Sequence, residues 1–230
     1  MDLKDRMAEV ERRILEACNR SGRSREEVNL VAVTKYVSLD TTREVLNHGL
    51  QHIGENRWQD AREKWHALGA QGLGTWHFIG HLQSNKVKDV IGKFTYIHSI
   101  DRLSLAKELQ KRADAADLTV KGFIQLNISG EASKYGLEPD KLLEFARTIR
   151  AMDRIQIIGL MTMAPYETEP EKTRSVFRGL REWRDRLNEE GIFPQPVREL
   201  SMGMSNDFEV AIEEGATWVR LGSVLVGRNV

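Results

Sequence analysis

Short apolar runs and longer amphipathic stretches alternate along this chain with a regularity that predicts its architecture. Leu3, Met7, Val10, Ile14, Leu15 and Cys18 recur at helical spacing from the start, and Ser21-Gly22 ends that first helix. Apolar runs then predict strands at Leu30 to Thr34, His52 to Gly54, Trp76 to Gly80, Tyr96 to Ser99, Lys121 to Asn127, Ile155 to Met161, Arg198 to Ser201 and Trp218 to Leu221. Helical periods fill the gaps, most clearly over Arg102 to Ala116, Pro139 to Met152, Pro170 to Glu190 and Asp207 to Glu214. Strands alternating with helices over 230 residues predict a single (β/α)8 TIM-type barrel with an extra N-terminal helix. A doubly wound open sheet is the alternative that the same alternation allows. All five prolines fall in expected loops or first helical turns. No repeat, low-complexity tract or long linker divides the chain, so residues 1–230 are read as one domain.

Charge narrows the partners. Lys plus Arg and Asp plus Glu both number 34, so no net field draws nucleic acid or an anionic membrane. The single cysteine, Cys18, lies on the apolar face of the first helix and has no internal disulfide partner, which suits a reducing compartment. Charged residues follow Met1 where a signal peptide would be apolar, and no apolar run approaches membrane-spanning length. The expectation is a soluble, cytoplasmic protein that binds neither nucleic acid nor membrane.

In a barrel, the residues just after each strand share the face on which ligands bind. Lys35 ends the run Asn29-Leu-Val-Ala-Val-Thr, and two roles compete for it. A rim lysine commonly snorkels to solvent, the reading that strand position alone favours. A desolvated one serves instead as an amine nucleophile toward a carbonyl. After the second strand, Gly54 permits a tight turn and Asn56 offers an amide, as ligand group or as cap of the next helix. After the third stand His77, His81 and Gln83, candidates to line a pocket. The six histidines form no HExxH pair and have no accompanying cysteines, which argues against a metal site.

The C-terminal quarter shifts the weight. Ser201-Met-Gly203-Met-Ser205-Asn206 precedes a helix, and Arg220-Leu-Gly222-Ser223 closes the last strand. Small residues and hydroxyls before a helix offer free backbone N–H groups to an oxyanion, and barrels often hold phosphate with the loops after strands seven and eight. Arg220 lies in an apolar strand and requires a partner. A lysine for a carbonyl and a cradle for a phosphate together point to a phosphorylated aldehyde or ketone. Pyridoxal 5′-phosphate and the substrate of a sugar-phosphate Schiff-base aldolase both satisfy this.

VAVTK ending at Lys35, GEN at 54–56, HFIGHLQSNK at 77–86, GLMTM at 159–163, ELSMGMSND at 199–207 and VRLGS at 219–223 resemble the pyridoxal-phosphate homeostasis protein family. The motifs occur in order over nearly the whole chain, from the first helix to Gly227-Arg228. The resemblance implies a fold similar to the N-terminal barrel of alanine racemase, with pyridoxal 5′-phosphate held as an aldimine on Lys35. It implies that Asn56 stands near the ring or its 3-oxygen, that Ser201, Gly222 and Ser223 hold the phosphate, that Arg220 faces the pyridine nitrogen, and that His77 and Met161 line the pocket. Two positions depart from many relatives: Tyr36-Val37 replaces Thr-Lys, and Ser223 replaces Thr, which keeps the hydroxyl. The family is regarded as lacking clear catalytic activity and as buffering the cofactor or delivering it to apoenzymes, with a monomer as the expected state. An arginine at the pyridine nitrogen makes the ring a poor electron sink. Racemisation also needs an acid and a base on opposite substrate faces. With the last strand a few residues before Val230, we expect no second domain to supply them. A pyridoxal-phosphate-dependent amino-acid racemase is the alternative function.

Overall fold

The first strand, β1 (Asn29–Val33), pairs in parallel both with β2 (His52–Glu55) and with β8 (Trp218–Leu221), and this double pairing decides the architecture. In the computed structural model, which describes residues 2–132, 134–166 and 169–227, β3 (Thr75–Phe78), β4 (Tyr96–Ile100), β5 (Val120–Gln125), β6 (Ile155–Met161) and β7 (Glu199–Ser201) complete the ring in chain order. The sheet is a closed parallel barrel, not an open doubly wound one. The register of β1 against β8, from Asn29 opposite Trp218 to Ala32 opposite Leu221, seals the seam.

Local chemistry sets the helices. In α1 (Leu3–Ser21) the Asp2 carboxylate accepts the Asp5 N–H at the start, and Gly22 closes the end at φ 67°, a left-handed conformation that glycine adopts without steric cost. The buried stripe Val10, Ile14, Ala17 and Cys18 packs α1 outside the barrel, and Arg13 binds Glu209 at 2.6 Å. The segment after Lys35 forms α2 (Leu39–Asn47). Ser38 Oγ caps it by accepting the Thr41 N–H, and Val45 and Leu46 face the core. The helix α3 (Trp58–Ala67) follows β2, and α4 (Val87–Val90) and α5 (Leu103–Ala115) flank β4. The stretches expected as helices from Pro139 and Pro170 each open with a short 3-10 turn, to Lys141 and Thr173, before α6 (Leu142–Ile149) and α7 (Arg174–Glu189). Phe208–Glu213 forms α8, and Ser223–Val226 forms α9.

The main apolar core lies between the barrel's outer face and the helices. A smaller cluster of Val31, Phe123, Met161 and Trp218 fills the lumen. Gly54, expected in a turn, lies inside β2, where a Cβ would meet Val31 Cγ1 at 2.8 Å; a side chain there would collide with the lumen packing. Among the described residues, no helix is long and apolar enough to cross a membrane.

Candidate functional site

The C-terminal strand ends surround a cavity of about 1200 Å³. Lys35 stands in its wall, two residues after β1, and its Nζ lies 4.8 Å from the Tyr36 ring centroid, a cation–π distance. The turn carrying it is fixed from behind. Thr34 is fully buried, its carbonyl accepts the Val37 N–H and Lys64 Nζ (2.5 Å), and its hydroxyl donates to Glu55 Oε1 at 2.6 Å. Lys64 Nζ also donates to Glu55 Oε1 at 2.9 Å. Burial outweighs the lysine's attraction and raises the Glu55 pKa, and Glu55 Oε2 has no partner among the described residues.

Asn56 lines the same cavity, and its Oδ1 is buried without a hydrogen-bond partner among the described residues, which a capping role would have supplied. Arg57, not Asn56, occupies the cap position of α3. Opposite Asn56, Gly80 allows close approach of two backbones, since a Cβ there would fall 2.2 Å from the Asn56 carbonyl oxygen. His81 also lines the cavity and stacks on Tyr135, with ring centroids 3.9 Å apart. A neighbouring cavity of about 580 Å³, lined by Arg57, Gln83 and Lys86 among others, shares that wall.

Arg220 brings a buried charge to the site. It is 4% exposed, and its Nη1 and Nη2 donate to Ser201 Oγ (2.5 Å) and to the Thr162 carbonyl (3.1 Å). Among the described residues no carboxylate lies within ion-pair distance, so the structural carboxylate that the sequence pattern allows is not its partner. Burial pushes its pKa down to about 10, with nearby Asp207 opposing. Beside it, Ser205 Oγ accepts the Gly222 N–H at 3.2 Å and the Val224 N–H at 3.4 Å, standing where an oxyanion would receive the same bonds. Gly222 and Ser223 line this part of the wall.

The structure thus brings Lys35, Asn56, Arg220, Gly222 and Ser223 to one cavity. It places the other three expected residues beneath it, in the lumen. His77 and Ser201 are fully buried and Met161 is 1% exposed, packed with Val31, Phe123 and Trp218. Ser201 reaches the cavity only through Arg220. His77 belongs to a histidine column with His52 and His98, neither of which stood out as a site residue in the sequence. Part of the His98 signal was present: in Tyr96-Ile-His98 the period of two puts His98 on the same face as Tyr96, and the structure shows that face to be the lumen. Among the described residues no cluster of three His, Cys, Asp or Glu is arranged to hold a metal ion.

This constellation on this barrel defines a class. The model of the alanine racemase N-terminal domain matches residues 8–230. Pyridoxal phosphate homeostasis proteins of Aquifex aeolicus and Pseudomonas aeruginosa are 45% and 38% identical over 229 and 225 residues, covering 100% and 98% of this chain and 99% and 95% of theirs. The chain belongs to the pyridoxal phosphate homeostasis protein family. PipY of Synechococcus elongatus, solved with PLP bound, superposes with a TM-score of 0.85 at 32% identity, over 98% of this chain and 100% of that one. An alanine racemase of Clostridium difficile, 14% identical with a TM-score of 0.71 over 94% of this chain and 56% of its own, shares the fold.

Proposed function

We propose that this chain binds pyridoxal 5′-phosphate and serves cofactor homeostasis, buffering the reactive aldehyde and passing it to apoenzymes. The observation that carries the reading is Arg220, a buried guanidinium in a cavity wall with no carboxylate partner among the described residues, sharing that wall with Lys35. The residues fit the ligand group by group. Lys35 Nζ is the amine for the aldehyde, the two forming a Schiff base with loss of water. The N–H groups of Gly222 and Val224, now answered by Ser205 Oγ, suit the phosphate. The unpartnered Asn56 Oδ1 suits a ring hydroxyl, and Arg220 is a donor toward the ring nitrogen.

Arg220 also bears on turnover. A donor that stays cationic leaves the pyridine nitrogen unprotonated, and an unprotonated ring withdraws electrons weakly. The protein therefore stores the aldehyde better than it drives carbanion chemistry. We place this role in the cytoplasm, in a single-domain monomer whose cavity mouth is open to an acceptor enzyme. Adding pyridoxal 5′-phosphate is expected to produce a visible absorption band that Lys35→Ala lacks. Turnover of single amino-acid enantiomers by the loaded protein, lost in Lys35→Ala, would overturn the carrier reading in favour of a racemase. Failure to bind the cofactor at all would overturn the site.

A further inference from the structure

Beneath the cavity the lumen holds a continuous polar column that cofactor binding does not by itself require. Arg220 Nη1 donates to Ser201 Oγ; His98 Nδ1 lies 2.8 Å from the same oxygen; His98 Nε2 lies 2.9 Å from His77 Nδ1; His77 Nε2 lies 3.0 Å from His52 Nδ1. Ser201, His98 and His77 are fully buried, whereas His52 is partly exposed at the opposite end of the barrel. Flat contacts hold the rings in register. His98 stacks on Phe123 at 4.2 Å between centroids, and His77 stacks on Tyr96 at 4.4 Å. Strand alternation produces the column, since inward positions of β2, β3, β4, β7 and β8 supply one member or more each.

Hydrogen-bond bookkeeping gives the column a direction. A guanidinium only donates, so Ser201 Oγ accepts from Arg220. The hydroxyl's own proton then finds, among the described residues, His98 Nδ1 as its acceptor. A neutral His98 with a bare Nδ1 carries its proton on Nε2 and donates to His77 Nδ1. His77 in turn donates from Nε2 to His52 Nδ1. The opposite direction places a proton on every Nδ1 and leaves the Ser201 hydroxyl as a buried donor with no acceptor. Arg220 above opposes an imidazolium at His98, and a second cation, Lys121, has its Nζ 5.4 Å from the centroid of Tyr96, on which His77 stacks. One wall carboxylate, Glu199, is engaged by Trp218 Nε1 and Thr217 Oγ1.

We propose that His98 and His77 are positioning residues for Arg220, members of a one-way chain of neutral Nε2–H imidazoles running from Ser201 to His52. The chain fixes the Ser201 hydroxyl as an acceptor toward Arg220, which holds the guanidinium in the cavity wall with its remaining N–H groups available to a ligand. It also makes the tautomer of His52, at the far end of the barrel, depend on the hydroxyl beneath the cavity. The use of those N–H groups by a ring nitrogen rests on the cofactor reading; the direction of the chain does not.

Long-range ¹H–¹⁵N correlation of the histidine rings in the ligand-free protein tests it. At pH 7.5 His52, His77 and His98 are each expected to show a bare Nδ1 and a protonated Nε2. An Nδ1–H tautomer or an imidazolium at His77 or His98 would overturn the proposal. Ser201→Ala removes the constraint on direction, so His52, two imidazoles further along than His98, is expected to become a mixture of tautomers. A His52 pattern unchanged in Ser201→Ala would overturn the coupling. If that variant does not fold, the wild-type tautomers still decide the direction. Because these spectra need no ligand, they are independent of whether pyridoxal 5′-phosphate binds.

Discussion

The barrel wall at β2 carries a buried polar assembly on each face, and the two are built on opposite principles. Inward lies His52, the foot of a neutral imidazole column that ends at Arg220. Outward lies Glu55, fully buried and bound to Lys64, which is 6% exposed, and to Thr34. The outer assembly clamps the backbone one residue before Lys35 by ionic bonds. The inner one orients the Arg220 side chain by relayed hydrogen bonds. A buried ion pair is rigid but costly to desolvate, and breaking it strands a charge. A neutral chain costs less to bury and transmits orientation over several residues. The backbone of the nucleophile is thus held by charge, and the ligand-facing cation by neutral donors and acceptors.

The largest break in this comparison should come from the outer face. Lys64→Met strands Glu55 in the core, and urea unfolding is expected to show a loss of about 3–5 kcal/mol. Pairing it with Glu55→Leu should recover most of that loss, because the stranded carboxylate is gone. A double variant no better than the single one would show that the clamp is not ionic in its effect.

Acid sharpens the inner face. Burial holds His77 and His98 well below the ordinary imidazole pKa of 6.5, whereas the unfolded chain protonates them near that value. As pH falls through 6.5 the unfolded state binds more protons, so stability drops toward acid. The slope per residue approaches about 1.4 kcal/mol per pH unit, or about 2.7 for the two. His98→Gln should remove roughly half of that slope in stability curves measured from pH 7 to pH 5. An unchanged slope contradicts a neutral column. The smallest effect concerns the rim between the two assemblies: Tyr36→Leu forfeits the cation–π contact with Lys35, about 0.5–1 kcal/mol at this exposed position, read as a small change in cofactor affinity.

The strand order and the rim residues were legible in the sequence because they follow from alternation. Once eight apolar runs separate helical stretches, Lys35, Arg220 and Gly222 fall at strand ends wherever the exact boundaries lie. What the sequence did not disclose is which face of each strand looks into the lumen. Strands buried on both sides carry apolar residues on both, so Ile53 gives no hint that its neighbours His52 and Gly54 point inward and Glu55 outward. The resemblance implies His77 and Met161 as pocket lining and Ser201 as a phosphate ligand; the structure buries all three in the lumen, where a step of about 3.3 Å per residue along a strand separates them from the rim. The Glu55–Lys64 clamp joins a strand to the helix that packs on it, a contact set by packing geometry and not by any repeating spacing. The exact start of the helix at Leu39 is blurred by its polar first turn, and Ser38 in its capping position is the cue that marks it.

Two lysines therefore stand within one turn of the nucleophile's backbone support, Lys64 locked behind the wall and Lys35 in front of it, and only one should meet the aldehyde. Incubation with pyridoxal 5′-phosphate, borohydride reduction and peptide mapping tests this most directly. The account predicts a pyridoxyl group on Lys35, with Lys64 unlabelled. A label on Lys64 or on another lysine in place of Lys35, or no label at all, would contradict it.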